Sequence, residues 1–196
     1  RFPICSTFKL PAAALVLARV DRGEEQLGRR VVYSEKDIVV NSPVTASHAG
    51  AGGLSMAELC EAAMTQSDNT AANLMLASFG GPAALTAYLR SLGDMTTRLD
   101  RIEPDLNEAL PDDPRDTTTP AAMVATMERL LLRAVLSASS RKMLTGWLVA
   151  NKTGDKRLRA GLPADWRVGD RTGTGANGTA NDVAIVWPGD DAPPIL

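Results

Sequence analysis

The stretch that decides the fold is Arg1-Phe2-Pro3-Ile4-Cys5-Ser6-Thr7-Phe8-Lys9, which runs straight into the apolar segment Leu10 to Ala18. Ser6 and Lys9 are three residues apart. On a helix that spacing puts both side chains on one face, a turn from each other. A serine hydroxyl at its ordinary acidity is a poor nucleophile. A desolvated lysine amine beside it can take or relay its proton, because burial lowers the lysine pKa. The plain alternative is a surface serine and lysine opening an ordinary helix. What separates the two is whether the rest of the chain supplies partners for the pair.

The chain has 196 residues, enough for one domain or two small lobes sharing a site. Apolar residues make up 44%, so a sizeable core is within reach and wholesale disorder is excluded. Lys and Arg total 21 against 23 Asp and Glu, and no basic block stands out. Neither a nucleic-acid partner nor an anionic membrane has an electrostatic footprint here. Leu10 to Ala18 is too short to span a bilayer. Cys5 and Cys60 make no disulfide framework and no metal spacing, and the single histidine, His48, lies in a polar loop with no motif around it. No metal or cofactor is expected.

Working outward, the first helix is expected over about Ser6 to Val20, with apolar residues all round as in a central buried helix. Pro11 falls inside it and should kink the second turn. Ser55 and Glu58 form a capping box for a helix ending near Gln66. Thr70 to Phe79 and Pro82 to Leu92 follow as helices, punctuated by Gly80-Gly81 and Gly93. Met95 to Thr119 is a long charged stretch broken by prolines, and a loop of that length in a compact domain is usually functional. Pro120 opens a helix to about Leu132, and Ser137 caps another to Val149 or Ala150. The pattern then changes to two strands, Trp166 to Thr172 and Ala180 to Trp187, with a turn through Gly173 to Gly178. Two strands do not make a stable sheet alone, so further residues or a partner should complete it.

Three more groups can serve Ser6 and Lys9. Ser67-Asp68-Asn69, between two helices, offers a hydroxyl and an amide, or simply caps the next helix. Glu103-Pro104-Asp105-Leu106-Asn107, in the long loop, can hold a water between a carboxylate and an amide, or be a solvated acidic loop. Arg171-Thr172-Gly173-Thr174-Gly175 combines a cation, hydroxyls and close backbone approach, which suits a carboxylate ligand, or is only a glycine-rich turn.

In that order, Ser-x-x-Lys, Ser-Asp-Asn, Glu-x-x-Leu-Asn and Arg-Thr-Gly resemble the motif set of the class A serine β-lactamases, and the resemblance covers the chain end to end. It implies an α/β (α+β) fold of the β-lactamase/transpeptidase type, with a mainly helical lobe over 1–150 and an incomplete antiparallel-sheet lobe over 151–196. It implies hydrolysis of penicillins and related antibiotics through an acyl-serine intermediate. The rivals are a penicillin-binding DD-peptidase and a penicillin sensor that does not turn over. By resemblance, Ser6 attacks the lactam carbonyl, and the backbone amides of Ser6 and Thr174 form the oxyanion hole. Lys9 and Glu103 share the proton work of acylation, and Ser67 passes a proton to the departing nitrogen. Asn69 binds the substrate's side-chain amide. Glu103, with Asn107, directs the water that hydrolyses the acyl-enzyme. Arg171, Thr172, Gly173, Thr174 and Arg157 form the substrate-binding side, with the carboxylate held by the arginines and hydroxyls. The long loop is similar to the family's Ω-loop, which implies an Arg101–Asp116 pair at its neck and a cis Glu103-Pro104 bond. The implied partner is a small-molecule β-lactam, with no nucleic acid and no membrane. The implied setting is a bacterial periplasm or secretion as a monomer, with any signal peptide lying ahead of Arg1.

Some positions depart from the family pattern. Arg171 stands where most members have lysine, as in the carbenicillin-hydrolysing subgroup. Arg157, Thr174 and Cys5 are similar to the branch that includes carbapenemases, yet the position that would pair with Cys5 is Gly175. The position that would pair with Cys60 is Ala13, so both thiols are expected free. Asn41 stands where an aromatic residue often lines the cleft mouth. The family also has elements before the Ser-Lys helix and after Trp187, so the chain is read as part of a longer enzyme. Apolar faces of the first helix and of the hairpin are expected to be exposed in it.

Overall fold

Apolar residues on every side of one segment force it to the centre, and the rest of the chain wraps around it. The computed structural model describes residues 1–189 and 192–196. The chain enters through a 3-10 turn at Cys5–Phe8, then forms helix α1 over Lys9–Asp21. Every residue of α1 from Lys9 to Ala18 is buried. Helices α2 (Met56–Gln66), α3 (Asn69–Ser78), α4 (Gly81–Ser91), α5 (Pro120–Leu132) and α6 (Ala138–Val149) all contact it. Ala12, Ala13 and Ala14 let those neighbours approach closely, and each large apolar side chain buried there stabilises by roughly 1.5–3 kcal/mol.

Three expectations about this helix are corrected. Its α-helical part begins at Lys9, not Ser6, because Cys5 sits at φ 45° and the following residues wind tightly. Pro11 therefore lies in the first turn, where a missing N–H has no helical bond to lose, and α1 continues through it. The expected apolar exposure of α1 is also wrong, since the surrounding helices cover it from Lys9 to Ala18.

Local signals set the other helix ends. Ser55 Oγ accepts the Glu58 N–H at 3.2 Å and the Glu58 carboxylate accepts the Ser55 N–H at 2.7 Å, closing the capping box of α2. Asp68 caps α3 by accepting the Ala71 N–H at 2.8 Å, so α3 starts at Asn69, one residue before the expected Thr70. Thr119 and Ser137 cap α5 and α6. Ser137 also donates to Asp21 at 2.7 Å, pinning the start of α6 to the end of α1.

The strands form small antiparallel pairs: β1 (Phe2–Pro3) with β4 (Thr117–Thr118), β2 (Arg30–Val31) with β3 (Leu54–Ser55), and β5 (Arg167–Thr174) with β6 (Ala180–Trp187). In the hairpin, Arg171 faces Val183 and Thr174 faces Ala180. Strand β5 runs two residues past the expected Thr172, so Gly173 and Thr174 belong to the ladder and not to the turn. Side chains alternate along it. Gly169, Arg171 and Gly173 share one face, and a Cβ on either glycine would crowd α6 or the Ser6 turn. On the other face Val168, Ala184 and Val186 form a small cluster with Leu162 and Trp166.

The long loop is closed at its neck. Arg101 Nε donates to Asp116 Oδ2 at 2.6 Å. Asp116 Oδ1 also accepts the backbone N–H groups of Asp100 at 2.7 Å and Arg101 at 3.0 Å. Asp116 O accepts the Ile4 N–H at 2.7 Å, which ties the neck to the segment just before Ser6. The Glu103-Pro104 bond is cis.

Candidate active site

Four segments distant in sequence converge on the Ser6 hydroxyl. The first is the Cys5–Phe8 turn with α1. Lys9 Nζ lies 3.0 Å from Ser6 Oγ, so the i, i+3 geometry survives the change from α to 3-10 winding. Lys9 is fully buried, whereas Ser6 keeps a small exposed surface.

The α2–α3 turn supplies the second. Ser67 ends α2 in the left-handed region, which turns its carbonyl and hydroxyl inward. Lys9 Nζ donates to Ser67 O at 2.9 Å, Ser67 Oγ at 3.2 Å and Asn69 Oδ1 at 2.6 Å. Asp68 points the other way and anchors the turn, accepting from Val44 N, Thr45 N and Thr45 Oγ1. Both readings of this motif therefore hold at once: Asp68 caps the helix, and its neighbours face Lys9.

Third comes the long loop. Glu103 Oε1 accepts from Ser6 Oγ at 3.2 Å and lies 3.0 Å from Lys9 Nζ, with both charged side chains out of solvent. Asn107 Nδ2 donates to Glu103 Oε2, and Asn107 Oδ1 has no partner among the described residues. One residue here escaped the sequence reading. Asn73 brackets Glu103 by accepting its N–H and donating to its carbonyl, both at 2.9 Å. Its spacing of four from Asn69 on the same helix was the available signal.

Strand β5 is the fourth. Arg171 is wholly buried and donates to Ser67 Oγ at 2.7 Å, while its Nε and Nη1 find no partner among the described residues. Thr172 Oγ1 meets Thr153 Oγ1. Arg157 donates to Gly173 O at 3.0 Å, Asn181 O at 2.6 Å and Thr174 Oγ1 at 2.7 Å. Gly173 approaches the Ser6 turn so closely that a Cβ would lie 3.1 Å from Ile4 O and 3.3 Å from Ser6 N. Below the strand, buried Asp170 accepts from Arg159 at 2.8 Å and Asn151 at 3.1 Å, a support the motif reading also missed.

Burial pushes the Lys9 amine down to about 8. The Glu103 charge works against that shift, and Arg171 adds to it. Burial likewise lowers Arg171 to about 10, against the pull of Glu103, Asp170 and Asp182. A lysine poised near neutral pH, touching a hydroxyl and a carboxylate, can shuttle protons in both directions. Cys5 and Cys60 are free and buried, and burial raises both thiols, Cys5 to about 11. Among the described residues no group of three His, Cys, Asp or Glu could hold a metal ion.

A serine held between an amine and a carboxyl defines a candidate serine acyl-transfer site. A sequence profile described as the beta-lactamase enzyme family matches residues 1–196. An ancestral class A β-lactamase is 67% identical with a TM-score of 0.96, over 98% of this chain and 74% of that one. The class A β-lactamase of the last common ancestor of Gram-negative bacteria is 66% identical, with a TM-score of 0.96 over 98% and 73%. The putative class A β-lactamase PenP from Rhodopseudomonas palustris is 62% identical, also with a TM-score of 0.96 over 98% and 73%. This chain belongs to the class A β-lactamase family.

Proposed function

We infer that the protein hydrolyses the amide bond of β-lactam antibiotics through an acyl-serine intermediate and thereby confers resistance. The observation that carries this reading is that Ser6 Oγ touches both Lys9 Nζ and Glu103 Oε1. In acylation, Ser6 Oγ bonds to the lactam carbonyl carbon and its proton passes to the Lys9–Glu103 pair. The oxyanion develops against the backbone amides of Ser6 and Thr174. Ser67 gives its proton to the lactam nitrogen as the C–N bond breaks, and is reprotonated from Lys9, 3.2 Å away. In deacylation, Glu103 takes a proton from a water oriented with Asn107. That water bonds to the acyl carbon, and Ser6 leaves with a proton.

On the binding side, Asn69 takes the substrate's side-chain amide. Arg171, Thr172, Gly173, Thr174 and Arg157 take its carboxylate end. Arg101 and Asp116 hold the loop that carries Glu103. Residues 1–150 and 151–196 act as two lobes with the site where they meet. The Arg171-Thr172-Gly173 element resembles that of carbenicillin hydrolysers. The protein acts on a small molecule, as a monomer in the periplasm or outside the cell, without nucleic-acid or membrane partners. Among the described residues no helix is long and apolar enough to cross a membrane.

A chromogenic cephalosporin tests the reading. Many turnovers per protein molecule are expected. A single stoichiometric burst would instead mark a penicillin sensor, and cleavage of a D-alanyl-D-alanine peptide without lactam turnover would mark a peptidase.

A further inference from the structure

Lys9 Nζ has more neighbours than it has protons. As an ammonium it carries three, and as an amine two and a lone pair. Ser67 O and Asn69 Oδ1 are its shortest acceptors, at 2.9 and 2.6 Å. With both keeping a proton in either state, the remaining position of the nitrogen is shared by Ser6 Oγ, Glu103 Oε1 and Ser67 Oγ, at 3.0, 3.0 and 3.2 Å. What fixes these two acceptors fixes the direction of the lone pair.

Both acceptors are held from outside by one short segment, Val40-Asn41. Asn41 Nδ2 donates to Ser67 O at 3.1 Å. Asn41 O accepts the Asn69 N–H at 3.0 Å. Val40 O accepts Asn69 Nδ2 at 2.9 Å, which sets the amide so that its oxygen faces Lys9. Asn41 reaches Ser67 from the left-handed region, φ 62°, where asparagine is among the few side chains readily accommodated.

We propose that Asn41 is a positioning residue for acylation. Its side-chain amide shares the Ser67 carbonyl with Lys9 and so sets both the aim and the proton affinity of the Lys9 amine. The inference rests on the acyl-serine reading above. The physical reason is competition at one oxygen. A carbonyl has two lone pairs, and a second donor weakens its bond to the first. The bond to an ammonium is the stronger, charge-assisted one, so it has the most to gain when the second donor is removed. Without the Asn41 amide, Ser67 O stabilises protonated Lys9 further, and less free amine remains at neutral pH. The other groups facing Lys9 are Glu103 from the long loop, Arg171 from β5, Asp68 from the α2–α3 turn and Ser6 from its own segment. None of them is changed by substitution at Asn41.

The test uses Asn41→Gly, which tolerates the positive φ, keeps the carbonyl that holds the Asn69 N–H and removes the side-chain donor to Ser67 O. Two measurements are made on it and on the unsubstituted protein. The first is the titration of the Lys9 ¹³Cε resonance, identified by its loss in Lys9→Arg. The second is the pH profile of the acylation and deacylation rate constants, resolved by rapid quenching and mass spectrometry. The expected results are a Lys9 midpoint moved upward by about 0.5 to 1 pH unit, acylation slowed by the matching factor of about 3- to 10-fold at pH 7, as loss of one such bond implies, and deacylation unchanged. A Lys9 midpoint that stays in place or moves down overturns the proposal, as does an equal loss in both steps. The resonance titrates whether or not the protein turns over a β-lactam, so failure of the hydrolase reading would appear separately, as inactivity of the unsubstituted protein.

Discussion

Replacing Arg101 with alanine is expected to slow deacylation more than acylation. Arg101 Nε is the only side-chain donor to Asp116 among the described residues, and the two side chains are 17% and 1% exposed. Once the guanidinium is gone, Asp116 Oδ2 faces the interior with its charge unmatched. Stripping one partner from a fully buried pair costs about 3–5 kcal/mol. The partial exposure of Arg101 and the two backbone N–H groups still on Oδ1 reduce this to about 2 kcal/mol. For a chain of this size that is a fall in Tm of about 4–8 °C. The second contact of Arg101, with the exposed Glu108 carboxylate at 2.5 Å, adds little. The loosened neck carries Glu103 and Asn107, whereas Lys9 is also held by Ser67 and Asn69, which lie outside the loop. If the whole 2 kcal/mol is felt in the water-directing step, deacylation slows about 30-fold, with a much smaller effect on acylation. Rapid mixing with a penicillin, followed by intact-mass measurement, should show the acyl-enzyme accumulating. Equal loss of both rate constants, or an unchanged Tm, would refute the reasoning. Asp116→Asn, which keeps an acceptor for both backbone N–H groups, should show a milder version of the same pattern.

Other substitutions probe other parts of the site. Glu103→Ala is expected to trap the acyl-enzyme, seen as a persistent mass increase equal to one antibiotic molecule; rapid return to the free mass would move the deacylation role elsewhere. Because Lys9 sits near 8 in the fold against an ordinary 10.5, the unfolded chain holds more protons between those values. Its share of stability is therefore lowest below pH 8 and grows toward pH 10, by roughly 2 kcal/mol. Urea unfolding should show the wild type gaining on Lys9→Met across that window, and a constant difference would contradict it. Gly154→Ala would put a Cβ 1.6 Å from Asp170 Oδ2, under strand β5. A loss of about 3 kcal/mol, read as a Tm lower by roughly 6–12 °C, is expected. Both cysteines should react with a thiol reagent after unfolding without reductant and resist it in the native protein; a bridge opened only by reduction would count against free thiols.

Much of this was legible in the residues because the signals are local. The Ser55–Glu58 box and Ser137 bind backbone groups within a few positions and Pro120 fixes its own φ at the first helical position, so sequence alone determined where α2, α5 and α6 begin. The order of the four motifs identified the family, since a site built from short segments leaves each segment's chemistry written in line. Other features depend on what lies across the fold. The chain has to be folded before Cys5 adopts a positive φ that moves the helix start to Lys9, or before α1 is covered on all sides. Asn73, Asp170 and Asn41 carry no motif of their own. Asn73 and Asp170 became visible only once Glu103 or Arg159 was brought beside them, and Asn41, a departure at the cleft mouth in the sequence, gained its role only once Ser67 was brought beside it. The residues determined which chemical groups are available and where the backbone turns. The tertiary structure decided which of them lose water together, and that loss is what lowers the Lys9 amine toward neutral pH.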